Sequence, residues 1–353
     1  SILAGLAGTA FGLVRAQQHA REEAAARAKA EDRLKDVRSL ANSLLFDLNS
    51  DIERLPGSTG VRKRLVDIGL SYLDKLARED SSDPALFAEL ASGYYRLAEV
   101  QSGGRAGNVG DRPGALASHD KALAIRQSLL AKDPASASLV EAVTNSQISR
   151  SHLLRQLGMH KEAHTAAETG LRHARARVAS DPSRENRRML SRALTALAWS
   201  LWSLERTDES GAFSREALLL DQALVDEDPD DWKSRSNLAT GHSDMADLHE
   251  RAGRVELARS EHELAIEIYR SIRDRDPSNT EHMLSLAAQL RKLASVLNDA
   301  DNSNDAIELL NESLALSEPI ARSDPSNAMA HSSIRAALSE LADALDQKRD
   351  FAG

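Results

Sequence analysis

Two stretches, "RDRDPSNTEH" (273–282) and "ARSDPSNAMAH" (321–331), carry the same Asp-Pro-Ser-Asn block 48 residues apart. Relaxed to Asp-Pro alone, the pattern occurs at Asp83-Pro84, Asp133-Pro134, Asp181-Pro182, Asp228-Pro229, Asp276-Pro277 and Asp324-Pro325, at spacings of 50, 48, 47, 48 and 48 residues. So constant a period marks a repeated supersecondary unit. Asp is a favoured N-cap because its carboxylate accepts orphan amide protons of a first turn, and Pro suits the next position, where no amide is needed. Each pair is therefore expected to start a helix.

A second column fixes the register. Twelve residues before the last five prolines stand Ala122, Gly170, Ala217, Ala265 and Ser313, each followed by Leu123, Leu171, Leu218, Ile266 or Leu314. Seven residues earlier stand Ala115, Ala163, Ser210, Ala258 and Ala306. Small residues one heptad apart share a helix face and let a second helix approach closely. Turn signals precede this helix in "QLGMHKEA", "LERTDESGA", "ERAGRVELA" and "NDADNSNDA". Each unit thus reads as helix, turn, helix.

The composition agrees. Over 353 residues aromatics are only 3% and Pro only 9, with Ala, Leu, Arg and Glu abundant, as in a helical protein. Cysteine is absent, which excludes disulfides, thiolate metal sites and a cysteine nucleophile. The net charge is -9 with both signs interleaved, so no basic stripe for nucleic acid is present and none is expected as a partner.

In "LHERAGRVELARSEHELAIEIYRSIRDRDP" (248–277), the Gly-containing turn, Ala-rich second helix and junction Pro resemble the tetratricopeptide repeat family. That family's repeat is 34 residues. Here both helices read as about seven residues longer, which is two turns apiece and keeps the contact face in phase. The resemblance implies an all-α fold, a right-handed α-solenoid of TPR-like hairpins with a repeat of about 48 residues. The hairpins fall at 36–80, 84–132, 134–180, 182–227, 229–275 and 277–323, with a terminal helix at 325–347. The first unit has apolar residues at helical spacing, Leu40, Leu44, Leu48 and Ile52, then Leu65, Ile68, Tyr72 and Leu76. The Gly-rich "QSGGRAGNVGDRPGA" (101–115) reads as an irregular turn that accounts for the 50-residue spacing.

The start of the chain differs. "SILAGLAGTAFGLV" (1–14) carries no charge, but it is shorter than the roughly 20 residues of a spanning helix. It is expected to be the end of a truncated transmembrane helix, with a buried or amphipathic helix end as the alternative. Residues 15–35 read as a charged juxtamembrane helix, and 36–353 as the repeat domain. The combination of this segment with "DVRSLANSLLFDLNSDIERLPGSTGVRKRLVDIGLSYLDKLARED" and "GDRPGALASHDKALAIRQSLLAKDP" resembles the C-terminal half of bacterial membrane-anchored serine/threonine protein kinases. That resemblance implies a sensor region after one membrane helix, on the periplasmic side of an inner membrane. Arg15, Arg21, Arg27 and Lys29 lean the other way by the positive-inside rule. No kinase motif is present, and "DFAG" (350–353) is not a metal-binding Asp-Phe-Gly, so this chain is not expected to be an enzyme.

Other chemistry is poorly supported. "HKEAH" sets His160 and His164 at i and i+4, but the Glu is misplaced for a zincin and no third ligand is evident. His242 and His249 stand about 10.5 Å apart along a helix axis, too far to share an ion. No metal or cofactor is expected. A repeat stack instead offers a concave groove lined by first helices. Aligning these on Ser151, Ala198, Ala246, Ala294 and Ala342 sends Asn145, His152, Arg155, Arg192, Trp199, Trp202, Asp247 and Arg291 toward it. Trp and Arg are frequent interface anchors, though a Trp in a helical repeat is more often core than interface. The expected function is a non-catalytic interaction or sensor module binding a peptide or partner protein. The alternative is a structural spacer, or a homodimerisation module working through the 15–40 helix.

Overall fold

The computed structural model describes residues 59–78, 83–102, 110–299, 302–325 and 327–350. The expected membrane-helix end (1–14), the charged helix (15–35) and the first helix of the 36–80 hairpin lie outside them. Among the described residues there are twelve α-helices and no strand. They are α1 (Thr59–Leu76), α2 (Pro84–Ser102), α3 (Arg112–Lys132), α4 (Ala137–Gln156), α5 (His160–Ser180), α6 (Arg184–Trp202), α7 (Thr207–Glu227), α8 (Trp232–Arg251), α9 (Val255–Arg275), α10 (Thr280–Asp299), α11 (Ser303–Ser323) and α12 (Ala328–Asp350). None of the described helices is long and apolar enough to cross a membrane.

Each helix packs on its sequence neighbours. The pairs α2/α3, α4/α5, α6/α7, α8/α9 and α10/α11 form hairpins, and each hairpin's second helix leans on the first helix of the next. First helices also meet one another, α4 with α6, α6 with α8, and α10 with α12. The fold is an all-helical, TPR-like solenoid.

The small-residue columns explain this packing. Ala115, Ala122, Ala163, Ala217, Ala258, Ala265, Ala306, Ser210 and Ser313 are all buried, as is Gly170. The opposing residues Ser151, Ala198, Ala246 and Ala294 are buried too. The fit is close enough for side chain to meet backbone. Ser151 Oγ donates to the Ala163 carbonyl, Ser210 Oγ to Ala198 and Ser313 Oγ to Ala287, each at 2.9 Å. Large residues flank the column, with Leu154, Leu194, Leu224, Leu290 and Leu310 fully enclosed. Ala342, at the equivalent place on α12, is exposed, because no second helix among the described residues covers it.

The turns of the α4/α5, α6/α7 and α8/α9 hairpins each carry a left-handed residue. Gly158 (φ 76°) and Gly253 (φ 69°) supply it, and Glu205 (φ 62°) does so without being glycine. The following amides bond five residues back, Met159 to Leu154, Arg206 to Leu201 and Arg254 to His249, at 2.9, 3.0 and 2.8 Å. This is the Schellman closure.

The Asp-Pro pairs need correction. Only Asp83 is an N-cap, accepting from the Ala85 amide at 2.9 Å with Pro84 opening α2. Asp133, Asp181, Asp228, Asp276 and Asp324 instead end the preceding helix. The amides of Ser136, Asp231, Asn279 and Asn327 return to the carbonyls of Asp133, Asp228, Asp276 and Asp324 at 3.0–3.2 Å. These four are N-caps, as is Ser183 in the remaining unit. The residue before a proline avoids the helical region, and Asp-Pro suits the first two positions of a type I turn. The pair therefore stops one helix, and the capping residue after it starts the next.

The face of α1 also differs. Val66, Leu73 and Leu76 are buried, whereas Ile68 is exposed. The reason is the approach of α2, where Gly93 leaves room for Leu73; a Cβ on Gly93 would lie 2.9 Å from Leu73 Cδ2.

The geometry sets the outcome of three substitutions. Ala265→Leu should cost roughly 1–3 kcal/mol by overpacking a fully buried site, while Ser260→Leu on the exposed side of α9 should be near neutral. Equal melting temperatures would refute the register. Glu205→Gly should stabilise by about 0.5–1 kcal/mol in denaturant titration, since an L side chain at positive φ is strained there.

Candidate functional site

The repeat register turns first-helix positions into rungs along one wall. Asn145 on α4 and Arg192 on α6 occupy equivalent places, and Arg192 Nη1 donates to Asn145 Oδ1 at 3.3 Å. Further along these helices, the guanidinium of Arg155 sits 5.1 Å from the Trp199 ring centre. Trp199 Nε1 donates to Asp244 Oδ2 on α8 at 3.2 Å, and Trp202 meets Trp199 edge-on at 5.9 Å. Arg251 stacks over Trp202 at 4.4 Å. Trp202 is half-buried and Trp199 is packed between its neighbours, so the pair braces adjoining first helices.

Toward the C-terminal end, Lys292 on α10 bonds both Asp247 oxygens at 2.9 and 2.7 Å and Ser243 at 3.1 Å. Arg291 pairs with Glu340 on α12. These links bridge successive hairpins and occupy the wall there. Asp247 and Arg291 are thus engaged within the protein.

The open part of the wall lies toward the other end. One open pocket, about 500 Å³ with the solvent at its mouth included, is lined by Ile148, Ser149, His152, Ser191, Arg192, Thr195, Asp221, Asn237 and Thr240. A second, about 590 Å³ on the same measure, is lined by Tyr95, Arg126, Glu141, Ala142, Asn145 and Arg192. The two share Arg192, whose hydrogen bond among the described residues is to the neutral Asn145. Of the sequence candidates, Asn145, His152 and Arg192 come together here. Arg155, Trp199 and Trp202 form the adjoining group, and Asp247 and Arg291 lie beyond it.

Sequence reasoning missed the floor. Four residues after each small residue of the second helices come Arg126, Ala174, Asp221, Tyr269 and Ser317, all buried. Arg126 stacks on Tyr95 at 4.6 Å and donates to the Ala142 carbonyl and Ser146 Oγ at 3.1 and 2.5 Å. Tyr269 shares a hydrogen bond with Thr240 at 3.1 Å. Ser191 Oγ donates to Asp221 Oδ2 at 2.7 Å. A column that stays buried while its chemistry changes from Arg to Ala to Asp to Tyr was the available signal.

Burial dominates the electrostatics. It pushes Asp221 up to about 7, with Ser191 and Arg188 opposing. It pushes Asp244 up to about 7, opposed mainly by Lys292. It lowers His152 to about 4, helped by Arg155 and Arg192, so that imidazole is neutral near pH 7. Asp247, Glu250 and His262 bring ligand atoms within 4.8 Å of one another. The Lys292 ammonium already supplies the positive charge beside them.

No protein-family model matches the chain, and no curated protein matches it. Solved structures resemble it in fold. NprR in complex with its cognate peptide NprX aligns at TM-score 0.53 and 12% identity, over 86% of this chain and 72% of NprR. A thermophilic TPR protein of Thermus thermophilus aligns at TM-score 0.38 and 16% identity, over 70% of this chain and 98% of that one. A Podosopora anserina putative kinesin light chain with TPR-like repeats aligns at TM-score 0.41 and 18% identity, over 69% and 100%.

The raised Asp221 implies a signed pH effect. A carboxyl whose folded pKa exceeds its unfolded value stabilises the fold fully below the unfolded pKa, near 3.8, and that contribution is lost as pH rises through about 7. Asp221→Asn removes the loss. The variant should gain on the wild type by about 1.4 kcal/mol per pH unit across that window. Parallel pH–stability curves from denaturant melts would show that Asp221 ionises normally.

Proposed function

We propose that the repeat domain is a non-catalytic interaction module that takes up an extended peptide segment in its concave wall, between α2 and α8. The observation that carries this reading is the pair of adjoining cavities joined at Arg192, an exposed arginine with no carboxylate bonded to it among the described residues. Asn145, Asn237, Thr195 and Thr240 add hydrogen-bonding groups able to serve a peptide backbone. The tryptophan and arginine stack at Arg155, Trp199 and Trp202 extends the same surface. The fold likeness to NprR, which was solved with its cognate peptide, supports the choice of a peptide.

We further propose that the chain is the sensor half of a membrane-anchored bacterial serine/threonine kinase, held outside the cytoplasm. The resemblance of residues 36–80 and the uncharged run 1–14 support this context. The coding sequence upstream of Ser1 decides it, since a parent without a kinase domain there would sink the proposal.

Panning a random heptapeptide library on the immobilised domain tests the groove. Wild type should enrich binders, while Arg192→Glu and Trp202→Ala should weaken capture at least tenfold with helical circular dichroism unchanged. Enrichment that survives both substitutions would place binding elsewhere, and a Trp202→Ala domain that melts would return that tryptophan to the core.

A further inference from the structure

Asp221 stands apart from the other charged groups of the groove. It projects from α7, behind the wall, and lines the cavity formed by α4, α6 and α8. Its Oδ2 accepts from Ser191, but its Oδ1 is buried and accepts from none of the described residues. Arg188, the basic residue that acts on it electrostatically, is held by Glu185 and Asp231 at 2.7 and 2.5 Å. A buried carboxylate oxygen with no donor, on a residue that lines a polar cavity, is an incomplete arrangement.

We propose that this cavity is a subsite for a primary ammonium group of the bound peptide, a lysine side chain or a free N-terminus, seated on Asp221 Oδ1. The inference rests on the groove reading above and specifies its ligand. An ammonium has three donors. One would meet Asp221, and the oxygens of Ser149, Thr195, Asn237 and Thr240 line the same cavity for the others. A guanidinium fits less well, because its fork recognises both oxygens of a carboxylate and Ser191 already holds Oδ2. The neighbouring charges permit a cation. His152 is neutral near pH 7, and Arg192, which lines both cavities, bonds Asn145 of the second. Arg192 then remains available to an acceptor on the same peptide, such as a carboxylate or a backbone carbonyl. Burial holds the Asp221 carboxyl up near 7, as befits a carboxylate lacking its counter-charge.

Defined peptide pools test this. The probes are randomised heptapeptide amides in three forms: N-acetylated with lysine fixed at the centre, N-acetylated with norleucine there, and norleucine-centred with a free N-terminus. Lysine and arginine are omitted from the random positions. Wild type should retain at least one ammonium-bearing pool tenfold better than the acetylated norleucine pool, and which one identifies the source. Asp221→Asn keeps the shape and an acceptor for Ser191, and it should retain all three pools alike. Equal retention of the pools by wild type, with binding still lost in Arg192→Glu, would overturn the ammonium subsite and leave the groove standing. An unchanged preference in Asp221→Asn would overturn it too. Retention of no pool by wild type would remove the groove reading and this inference together.

Discussion

The structure depends on how closely two helices of a hairpin approach one another. At the contact line the side chains are Ala, Gly or Ser, and the serines donate directly to a carbonyl of the opposite helix. At the fully buried alanines such contact leaves little room for a larger side chain, and interiors packed at this density do not absorb volume without moving backbone. Because the same line recurs in each unit, successive hairpins adopt one geometry. The regular stack is the sum of these local fits.

The stack then decides what the wall can do. Side chains on equivalent first-helix positions meet at intervals close to the repeat length, so each rung joins one unit to the next. From α8 to α12 the rungs are ion pairs, Lys292 with Asp247 and Arg291 with Glu340. Near α6 they are an arginine, two tryptophans and a half-buried aspartate. Beside the two cavities the links between first helices are the neutral Tyr95–Ser149 hydrogen bond and the arginine–asparagine bond of Arg192 with Asn145, and open space remains next to them. The proposed groove lies where the protein has left polar groups of its own unsatisfied.

Much of the architecture was legible in the chain. The 48-residue period, the small-residue columns and the glycine turns follow from local rules of helix geometry and capping, which operate within a few residues. The Asp-Pro pairs showed the limit of that reasoning. Their capping propensity was read correctly as a helix boundary, yet turn formation put five of them at the end of one helix and gave the cap of the next to Ser136, Ser183, Asp231, Asn279 and Asn327. On α1 the phase slipped as well, because the apolar residues offered two faces and Gly93 of α2 selected one.

The candidate site divided in the same way. Periodicity placed Asn145, His152, Arg155, Arg192, Trp199 and Trp202 on one side of their helices, because a helix face is a local property. It could not say which of them a partner residue would consume. Asp247 and Arg291 look equivalent to the others in sequence, but Lys292 and Glu340 take them up from residues 45 and 49 positions away. Nor could it find Asp221, which reaches the groove from behind the wall. The sequence by itself determined the helices, their period and, apart from α1, the face each presents. Only the tertiary structure decided which polar groups stay unpaired, since pairing across the stack depends on side chains brought together from different repeats.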